Sequence, residues 1–310
     1  MSQLLAIKER IRTITNLRKV TRAMELVTRT KINRARNNAT ATRRFQLLFE
    51  DLFRLAIDSA EEQWRIRRAP GDAEAETARH PAGPRRFVVA VLSQKGFCGS
   101  FNDRVLSTLH RQIVELQQQP SAQVNLTIIG RRNSKWSYVL RHEFEHIAAP
   151  EREYATHIAP LADRLSREVM VEGDVEIYFV FNQLISILEQ RPIVLRVYPP
   201  EESDELDPQK AVASGQVLFE PAPELLMPAL VPAYLRACLE RAYWETIAGE
   251  NCARLLSMKN ANDNASKMLD ALKIDYNKTR QTRITQELSE IVSAFDVLRS
   301  IQQRQRREED

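Results

Sequence analysis

Two histidines flank two acidic residues in the segment His142-Glu143-Phe144-Glu145-His146, which has the HExxH spacing of zinc proteases. That chemistry needs both imidazoles on one helix face, one turn apart. Pro150 follows closely, and the alternation of apolar and charged residues favours an extended segment over a helix. In a strand the two histidine positions lie about 13 Å apart, too far for one ion. We therefore expect no metal site here.

A glycine-containing segment, Ser93–Ser100, follows an apolar run, the place where an α/β fold can cradle phosphate. It matches neither GxGxxG nor GxxxxGK[ST], because it lacks a third glycine and Lys95 precedes Gly96. Cys98 would be a nucleophile only beside a base, and no His/Asp pair has a sequence-level reason to converge on it. A tight structural turn is the favoured interpretation, and no cofactor is expected.

Charge is unevenly distributed, with net +9 in residues 1–69, −6 in 70–249 and +1 in 250–310. A basic amino-terminal segment can face nucleic acid, anionic lipid or an acidic protein surface, and charge alone leaves these open. The basic residues lack interleaved aromatics and no DNA-binding motif is visible, so no nucleic-acid partner is expected.

The three cysteines have no CxxC spacing, which excludes a disulfide framework and favours a reducing cytoplasm. No run approaches the ~18 apolar residues of a membrane helix, and charges begin at position 8, which is unlike a signal peptide. We expect a soluble bacterial protein.

All glycines and prolines lie between Pro70 and Gly249, so residues 1–69 and 250–310 carry no helix breaker. Apolar or small residues recur there every three or four positions, the seam of a coiled coil. From Lys31 to Arg44 this seam fades, so close burial there is not expected. The seams predict an antiparallel two-helix coiled coil, with these positions on it: Leu4, Ile7, Ile11, Ile14, Leu17, Thr21, Met24, Thr28, Phe45, Leu48, Leu52, Leu55, Leu255, Met258, Ala261, Ala265, Met268, Leu272, Thr279, Leu288, Ile291, Phe295, Leu298 and Ile301.

The middle of the chain alternates β-branched runs with amphipathic segments, which predicts an α/β domain with a largely parallel sheet. Predicted strands are Phe87–Leu92, Val124–Ile129, Val175–Phe181 and Ile193–Val197, and predicted helices are Asn102–Gln119 and Ala159–Val171. The expected organisation is an amino-terminal helix at 1–64, a linker at 65–86, the α/β domain at 87–198, a connector at 199–232 and a carboxyl-terminal helix at 233–310.

Three ordered segments resemble one family, the gamma subunit of the rotary F-type ATP synthase. The opening helix reads Lys19-Val20-Thr21-Arg22-Ala23-Met24-Glu25, and the segment Lys95–Asn102 is similar to that family's GLCG…N turn. Tyr276–Val292 resembles its carboxyl-terminal signature. Three places depart from the family pattern: Ala294-Phe295 stands where Gly-Ala is usual, Ser93-Gln94 stands where Asp or Thr commonly precedes the turn, and Gly249 stands where serine is usual.

The resemblance implies a central rotor stalk without catalytic residues, which transmits torque between a membrane ring of c subunits and an alpha/beta ring, and which also contacts the epsilon subunit. It would lie at the cytoplasmic face of the bacterial inner membrane, attached only through the complex, with the coupling ion, proton or sodium, left open. The implied structural turn comprises Gly96, Cys98, Gly99 and Asn102. The implied subunit contacts are Lys19, Arg22, Met24, Arg280, Gln281, Thr285, Glu287 and Glu290.

Two other readings compete with the rotor stalk. One is a free-standing α/β enzyme that uses the Cys98 segment and oligomerises through its coiled coil. The other is a cytoplasmic coiled-coil scaffold.

Overall fold

The computed structural model describes residues 2–59, 85–118, 123–131, 136, 140, 142–172, 175–200 and 219–309. In chain order its elements are α1 (Ser2–Ser59), β1 (Arg85–Val91), α2 (Phe101–Gln117), β2 (Gln123–Ile129), β3 (Glu145–Ile147), α3 (Tyr154–Glu172), β4 (Val175–Leu184), β5 (Gln190–Tyr198) and α4 (Pro223–Glu309). The predicted fold class, an α/β domain inserted between two long terminal helices, is confirmed.

The last helix begins earlier than predicted, at Pro223 instead of residue 233. Pro223 suits the first helical position, whose N–H has no intrahelical acceptor. Pro228 and Pro232 lie inside the helix. Met227 and Val231, which precede these two prolines, are fully buried and pack this part of the helix against the core. Tertiary packing thus overrides the proline signal that placed the boundary further along the chain.

Parts of the predicted linker and connector lie outside the described residues. Residues 65–84 of the linker and 201–218 of the connector belong to this group, as do residues 60–64 at the end of the predicted amino-terminal helix. Arg85 and Arg86, predicted as the end of the linker, are the first residues of β1.

The five strands form one sheet in the order β3-β2-β1-β4-β5. β1 pairs in parallel with β2 and β4, β2 pairs in parallel with β3, and β4 pairs antiparallel with β5. β3 was not among the predicted strands, although the alternation in residues 142–146, which overlap it, favoured an extended segment. The parallel strands β1 and β4 end at the same edge of the sheet.

Side chains of β1 alternate between the two faces of the sheet, as the two-residue period of a strand requires. Val89 and Val91 join a core formed by α3 and the terminal helices, whereas Val88 and Ala90 join a core formed by α2. The sheet is therefore covered on both faces, which suits a parallel sheet.

The chain divides into two compact units, a larger one at Val27–Ser257 and a smaller one that combines Met1–Leu26 with Met258–Asp310. Within the larger unit, α1 and α4 run antiparallel. Phe53 stacks on Tyr234 with ring centroids 4.6 Å apart. Gln46, earlier on α1, accepts a hydrogen bond at 2.5 Å from Arg241, which lies later on α4.

The expectation that burial fades between Lys31 and Arg44 is wrong. Ile32, Ala35 and Ala39 are buried, with side chains only 4%, 3% and 4% exposed. Alanine carries a weak hydrophobic signal in sequence, but its small side chain lets a neighbouring element approach the backbone closely.

Within the smaller unit, the described seam follows a seven-residue repeat. Met258, Ala265 and Leu269 are buried on α4, and Thr21 is buried on α1. Two predicted seam residues are wrong: Leu17 is 51% exposed, and Met268 is 52% exposed because the adjacent Leu269 takes the inward position.

The end of the predicted seam on α4 is also wrong, because Leu288, Ile291 and Phe295 are 57%, 65% and 67% exposed. Gln3 and Leu4 line a groove together with residues of α4 between Lys278 and Glu290.

Across the described residues, none of the helices carries an apolar stretch of the length needed to span a membrane.

Replacing Phe53 with alanine tests the packing of the two helices in the larger unit. Phe53 is fully buried, so we expect Phe53→Ala to lower the free energy of unfolding by about 3–5 kcal/mol. The predicted seam positions Phe45, Leu48 and Leu52 are wrong, because their side chains are 50%, 63% and 45% exposed. Leu48→Ala is therefore the matched control on the same helix, with an expected change within about 0.5 kcal/mol. Urea unfolding measures both, and equal losses would contradict the described packing.

Candidate functional site

The segment after β1 is the tight turn that the sequence predicts, and Ser93 and Asn102 close it. The Ser93 backbone N–H donates to Asn102 Oδ1 at 3.0 Å, and Asn102 Nδ2 donates to Ser93 Oγ at 2.7 Å. Asn102 lies in the first turn of α2, so this pair fixes where the helix begins relative to the end of β1.

The two glycines of the turn have different roles. Gly99 has φ +60°, the left-handed region in which glycine carries no steric penalty, and a Cβ there would lie 3.2 Å from Ser257 Oγ. At Gly96 a Cβ would meet no heavy atom within 4 Å. The left-handed conformation also occurs at Phe97, with φ 64°, although its side chain is bulky and 69% exposed.

Cys98 is a packed thiol within this turn. Its Sγ lies 3.8 Å from both Ser93 Oγ and the Lys95 carbonyl oxygen, and its side chain joins Phe101 and Ala253 in a small apolar cluster. Burial raises the pKa of Cys98 above its usual value, which stabilises the thiol over the thiolate. These surroundings suit a structural residue and lack the activation that a nucleophile requires.

A buried ion pair from α4 holds the backbone of the turn. Glu250 accepts hydrogen bonds from the backbone N–H groups of Gln94 at 2.7 Å and Lys95 at 3.1 Å. Arg254 pairs with Glu250 and donates from Nε to the Gly96 carbonyl oxygen at 3.0 Å. The side chains of Glu250 and Arg254 are only 3% and 6% exposed. Burial raises the pKa of Glu250, while Arg254 and the two backbone amides oppose that rise.

A second buried ion pair on α4 lies about two and a half turns earlier. Glu245 pairs with Arg241, whose Nε lies 3.0 Å from Glu245 Oε1, and it accepts the backbone N–H of Leu184 at 3.1 Å. Arg241 also donates to Gln46, and Arg43 Nε lies 3.9 Å from Glu245 Oε1. Glu245 therefore connects α4 with α1 and with the end of β4.

These two ion pairs connect α4 with the ends of β1 and β4, and we call Arg241, Glu245, Glu250 and Arg254 the α4 junction. None of the four was predicted from the sequence. A usable signal exists, since each pair places opposite charges at i and i+4 within a stretch of otherwise apolar residues, where an isolated charge would be costly.

The predicted subunit contacts of α4 lie in the smaller unit and are exposed. Arg280 and Gln281 are solvent-exposed, and Thr285 is also exposed, with its hydroxyl donating to the Gln281 carbonyl oxygen at 3.0 Å. Glu287 and Glu290 line the groove beside Gln3 and Leu4, which they share with Lys278, Thr282, Arg283 and Gln286. Arg283, which the sequence analysis did not single out, lies with its Nε 2.8 Å from Glu287 Oε1.

The predicted contacts of α1 lie in the same unit. Lys19 and Arg22 are exposed, whereas Met24 is half-buried. Their positions leave both cations accessible to another subunit.

The HExxH histidines do not converge on one point. His142 Nε2 lies 3.1 Å from the Val124 carbonyl oxygen, and His146 Nε2 lies 2.8 Å from the Gly130 carbonyl oxygen. Val124 lies near the start of β2 and Gly130 directly follows its end, and His146 lies in β3 instead of a helix. The two imidazoles hold separate backbone groups.

Comparisons with known proteins agree along almost the whole chain. A family model described as ATP synthase matches residues 3–298. The ATP synthase gamma chain of Sorangium cellulosum is 30% identical over 333 aligned residues, covering 96% of this chain and 100% of that protein. The ATP synthase gamma chain of Gemmatimonas aurantiaca is 31% identical, covering 94% of this chain and 97% of that protein.

A solved structure has a similar fold. A chain in the cryo-EM structure of the Euglena gracilis mitochondrial ATP synthase, OSCP/F1/c-ring, in rotational state 3, has a TM-score of 0.60 at 15% identity. The similarity covers 95% of this chain and 94% of that one.

Two long terminal helices with an inserted α/β domain define a stalk protein. Its buried polar residues, those of the α4 junction and of the turn after β1, connect secondary-structure elements to one another. The family match and the relatives make the assignment specific: the chain belongs to the ATP synthase gamma-chain family. It is a central-stalk subunit of F-type ATP synthase and is not a catalytic one.

Enlarging Gly249 tests how closely α4 packs on the turn region. A Cβ at Gly249 would lie 3.0 Å from Phe101 Cε2 and 3.3 Å from Gln190 Cγ, and Phe101 is fully buried. We expect Gly249→Val to lower the free energy of unfolding by about 1–3 kcal/mol through overpacking.

Gly96→Val is the matched control, because a Cβ there meets open space. Its expected effect in urea unfolding is within about 0.5 kcal/mol. If Gly249→Val were as stable as this control, the close approach of α4 to Phe101 would be incorrect.

Proposed function

We propose that this chain transmits torque in an ion-translocating F-type ATP synthase, between a membrane ring of c subunits and a catalytic ring of alpha and beta subunits. An epsilon subunit is a further partner at the base of the stalk. The observation that carries the proposal is the gamma-chain match over nearly the full length of both proteins. The location that follows is the cytoplasmic face of a bacterial inner membrane, where the chain is held through the complex.

The contacts with the alpha/beta ring lie in the smaller unit under this proposal. Lys19 and Arg22 present cations from α1, which suits acidic loops on beta subunits. Arg280 offers a planar, charge-assisted set of donors on α4, with Gln281 and Thr285 beside it. Such polar contacts can form and release during rotation without exposing a large apolar area.

An exposed apolar stripe near the end of α4 supports an enclosing partner. Ile284, Leu288, Ile291 and Phe295 follow one another at helical spacing and are 44%, 57%, 65% and 67% exposed. Contiguous apolar surface of this kind marks protein–protein contact. The alpha/beta ring is the partner that the proposal places around it, as a smooth surface against which the helix can turn.

The rotation then acts on the beta subunits by population shift. An asymmetric helix pair contacts each beta subunit differently at any moment, so each contact biases that subunit toward a different conformation. No residue of this chain touches a reacting nucleotide in this mechanism.

Native mass spectrometry of the complex purified from membranes tests the proposed partners. We expect one copy of this chain together with alpha, beta, epsilon and c subunits. Recovery of the chain alone, or in an oligomer of its own copies, would contradict the proposal and favour the scaffold.

Met24→Lys tests the contact between α1 and the beta subunits. Met24 is half-buried, so a lysine there adds a cation at the edge of the seam, next to the proposed acidic loops. We expect ATP hydrolysis to persist while ion pumping per ATP hydrolysed falls by half or more, measured in inverted membrane vesicles.

Leu26→Lys is the matched control, since Leu26 is 55% exposed and lies two positions away on another face of the helix. The scaffold reading predicts no change in either variant. Equal pumping in both would therefore count against the proposed contact.

A further inference from the structure

We infer that Glu250, acting with Arg254, is a positioning residue for torque transmission, because it fixes the turn of the α/β domain to α4. The inference rests on the proposed function and assigns a step within it. The residues concerned all lie in the larger unit. The role is to make the domain and the helix turn as one body.

The contacts between this ion pair and the turn are directional hydrogen bonds to backbone atoms. Glu250 receives two backbone N–H groups, at 2.7 and 3.1 Å, and Arg254 donates to the next carbonyl oxygen at 3.0 Å. The three bonded residues, Gln94, Lys95 and Gly96, are consecutive. The turn is therefore held through its main chain, so a rearrangement of the turn's own side chains does not release it.

Apolar packing alone would hold the same surfaces together without fixing their register. Phe101, Cys98 and Ala253 form such a contact beside the ion pair. The hydrophobic effect is non-directional, so it resists separation better than sliding, whereas a hydrogen bond weakens steeply when its angle changes. Rotation of α4 about its axis displaces its surface sideways, which is the motion that the bonds of Glu250 and Arg254 oppose.

The neighbouring conformation of Phe97 supports a constrained turn. A bulky residue with φ 64° is uncommon and persists only where the surroundings impose it. Here the backbone immediately before Phe97 is bound at three consecutive residues. The strained conformation of Phe97 agrees with a turn whose backbone is held in place by these hydrogen bonds.

The use of a buried ion pair at this place also indicates that it positions the turn on α4 more than it stabilises the fold. Removing two charges from water is costly, and well-packed apolar residues often stabilise a core as well as a buried ion pair does. Glu250 and Arg254 are almost completely buried, with side-chain exposures of 3% and 6%. Their advantage over an apolar pair is the fixed geometry of their hydrogen bonds.

The ion pair of Glu245 and Arg241 provides a second attachment on the same helix. The five residues from Glu245 to Glu250 correspond to a rise of about 7.5 Å along α4. Glu245 holds the end of β4 through Leu184, and Glu250 holds the turn after β1. One attachment would permit pivoting, while two separated ones also fix the orientation of the sheet.

The experiment uses the complete ATP synthase in inverted membrane vesicles with this chain carrying Glu250→Gln. Glutamine keeps the size and one acceptor oxygen but loses the charge that binds Arg254. ATP hydrolysis and ion pumping are measured together, as acidification or sodium uptake, and hydrogen exchange is followed at residues 94–97.

We expect the complex to assemble and hydrolyse ATP, pumping per ATP to fall by half or more, and exchange at residues 94–97 to rise. Glu240→Gln is the matched control, since it removes an ion pair with Arg236 on the same helix whose side chains are 21% and 52% exposed. The control should leave the pumping ratio unchanged.

Arg254→Lys is a second variant, which keeps a cation beside Glu250 but loses the planar donors that reach Gly96. If Glu250→Gln does not assemble, a lowered pumping ratio in Arg254→Lys supports the inference and an unchanged ratio overturns it. Unchanged ratios in both variants overturn it, and so does failure of both to assemble, which would make the pair purely structural. Failure of the proposed function itself is seen separately, as absence of pumping by the unsubstituted complex.

Discussion

The burial of α4 between the sheet and α1 is the constraint on which the larger unit depends. From Arg241 to Arg254 every residue of this helix is buried, including the fully buried aromatic residue Tyr243. A helix buried on all sides has no solvent face on which to place charged residues. Every charge in this stretch must therefore find a partner inside the protein.

The α4 junction follows from this constraint. Glu245 and Glu250 could not remain buried without their arginines, because an unpaired buried charge is far more costly than a paired one. Each carboxylate then has acceptor capacity left after binding its arginine, and backbone N–H groups at the ends of β4 and β1 use it. The need to satisfy buried charge and the need to fix the domain on the helix are met by the same side chains.

The positions of most helices and strands were accessible from the sequence because they depend on local patterns of residue type. The absence of glycine and proline from both ends predicted α1 and α4, and the β-branched runs located β1, β2, β4 and β5 to within a few residues. Burial at Ala35 and Ala39, and the choice of Leu269 over Met268, were missed. Alanine gives little hydrophobic signal, and two adjacent apolar residues offer the seam two registers that only packing distinguishes.

The candidate site was predictable in part, and the limit lies in the difference between local and distant contacts. The turn with Gly99, Cys98 and Asn102 is local, so its glycines and spacing mark it in the sequence. Glu250 contacts that turn from more than 150 residues further along the chain, and no local pattern encodes such a contact. A carboxylate and an arginine one turn apart resemble any solvated helix pair until the surrounding residues are seen to be apolar. The useful signal in the sequence is therefore a pair of opposite charges, one helical turn apart, among apolar residues. On α4 this signal marks both ion pairs that fix the α/β domain to the helix.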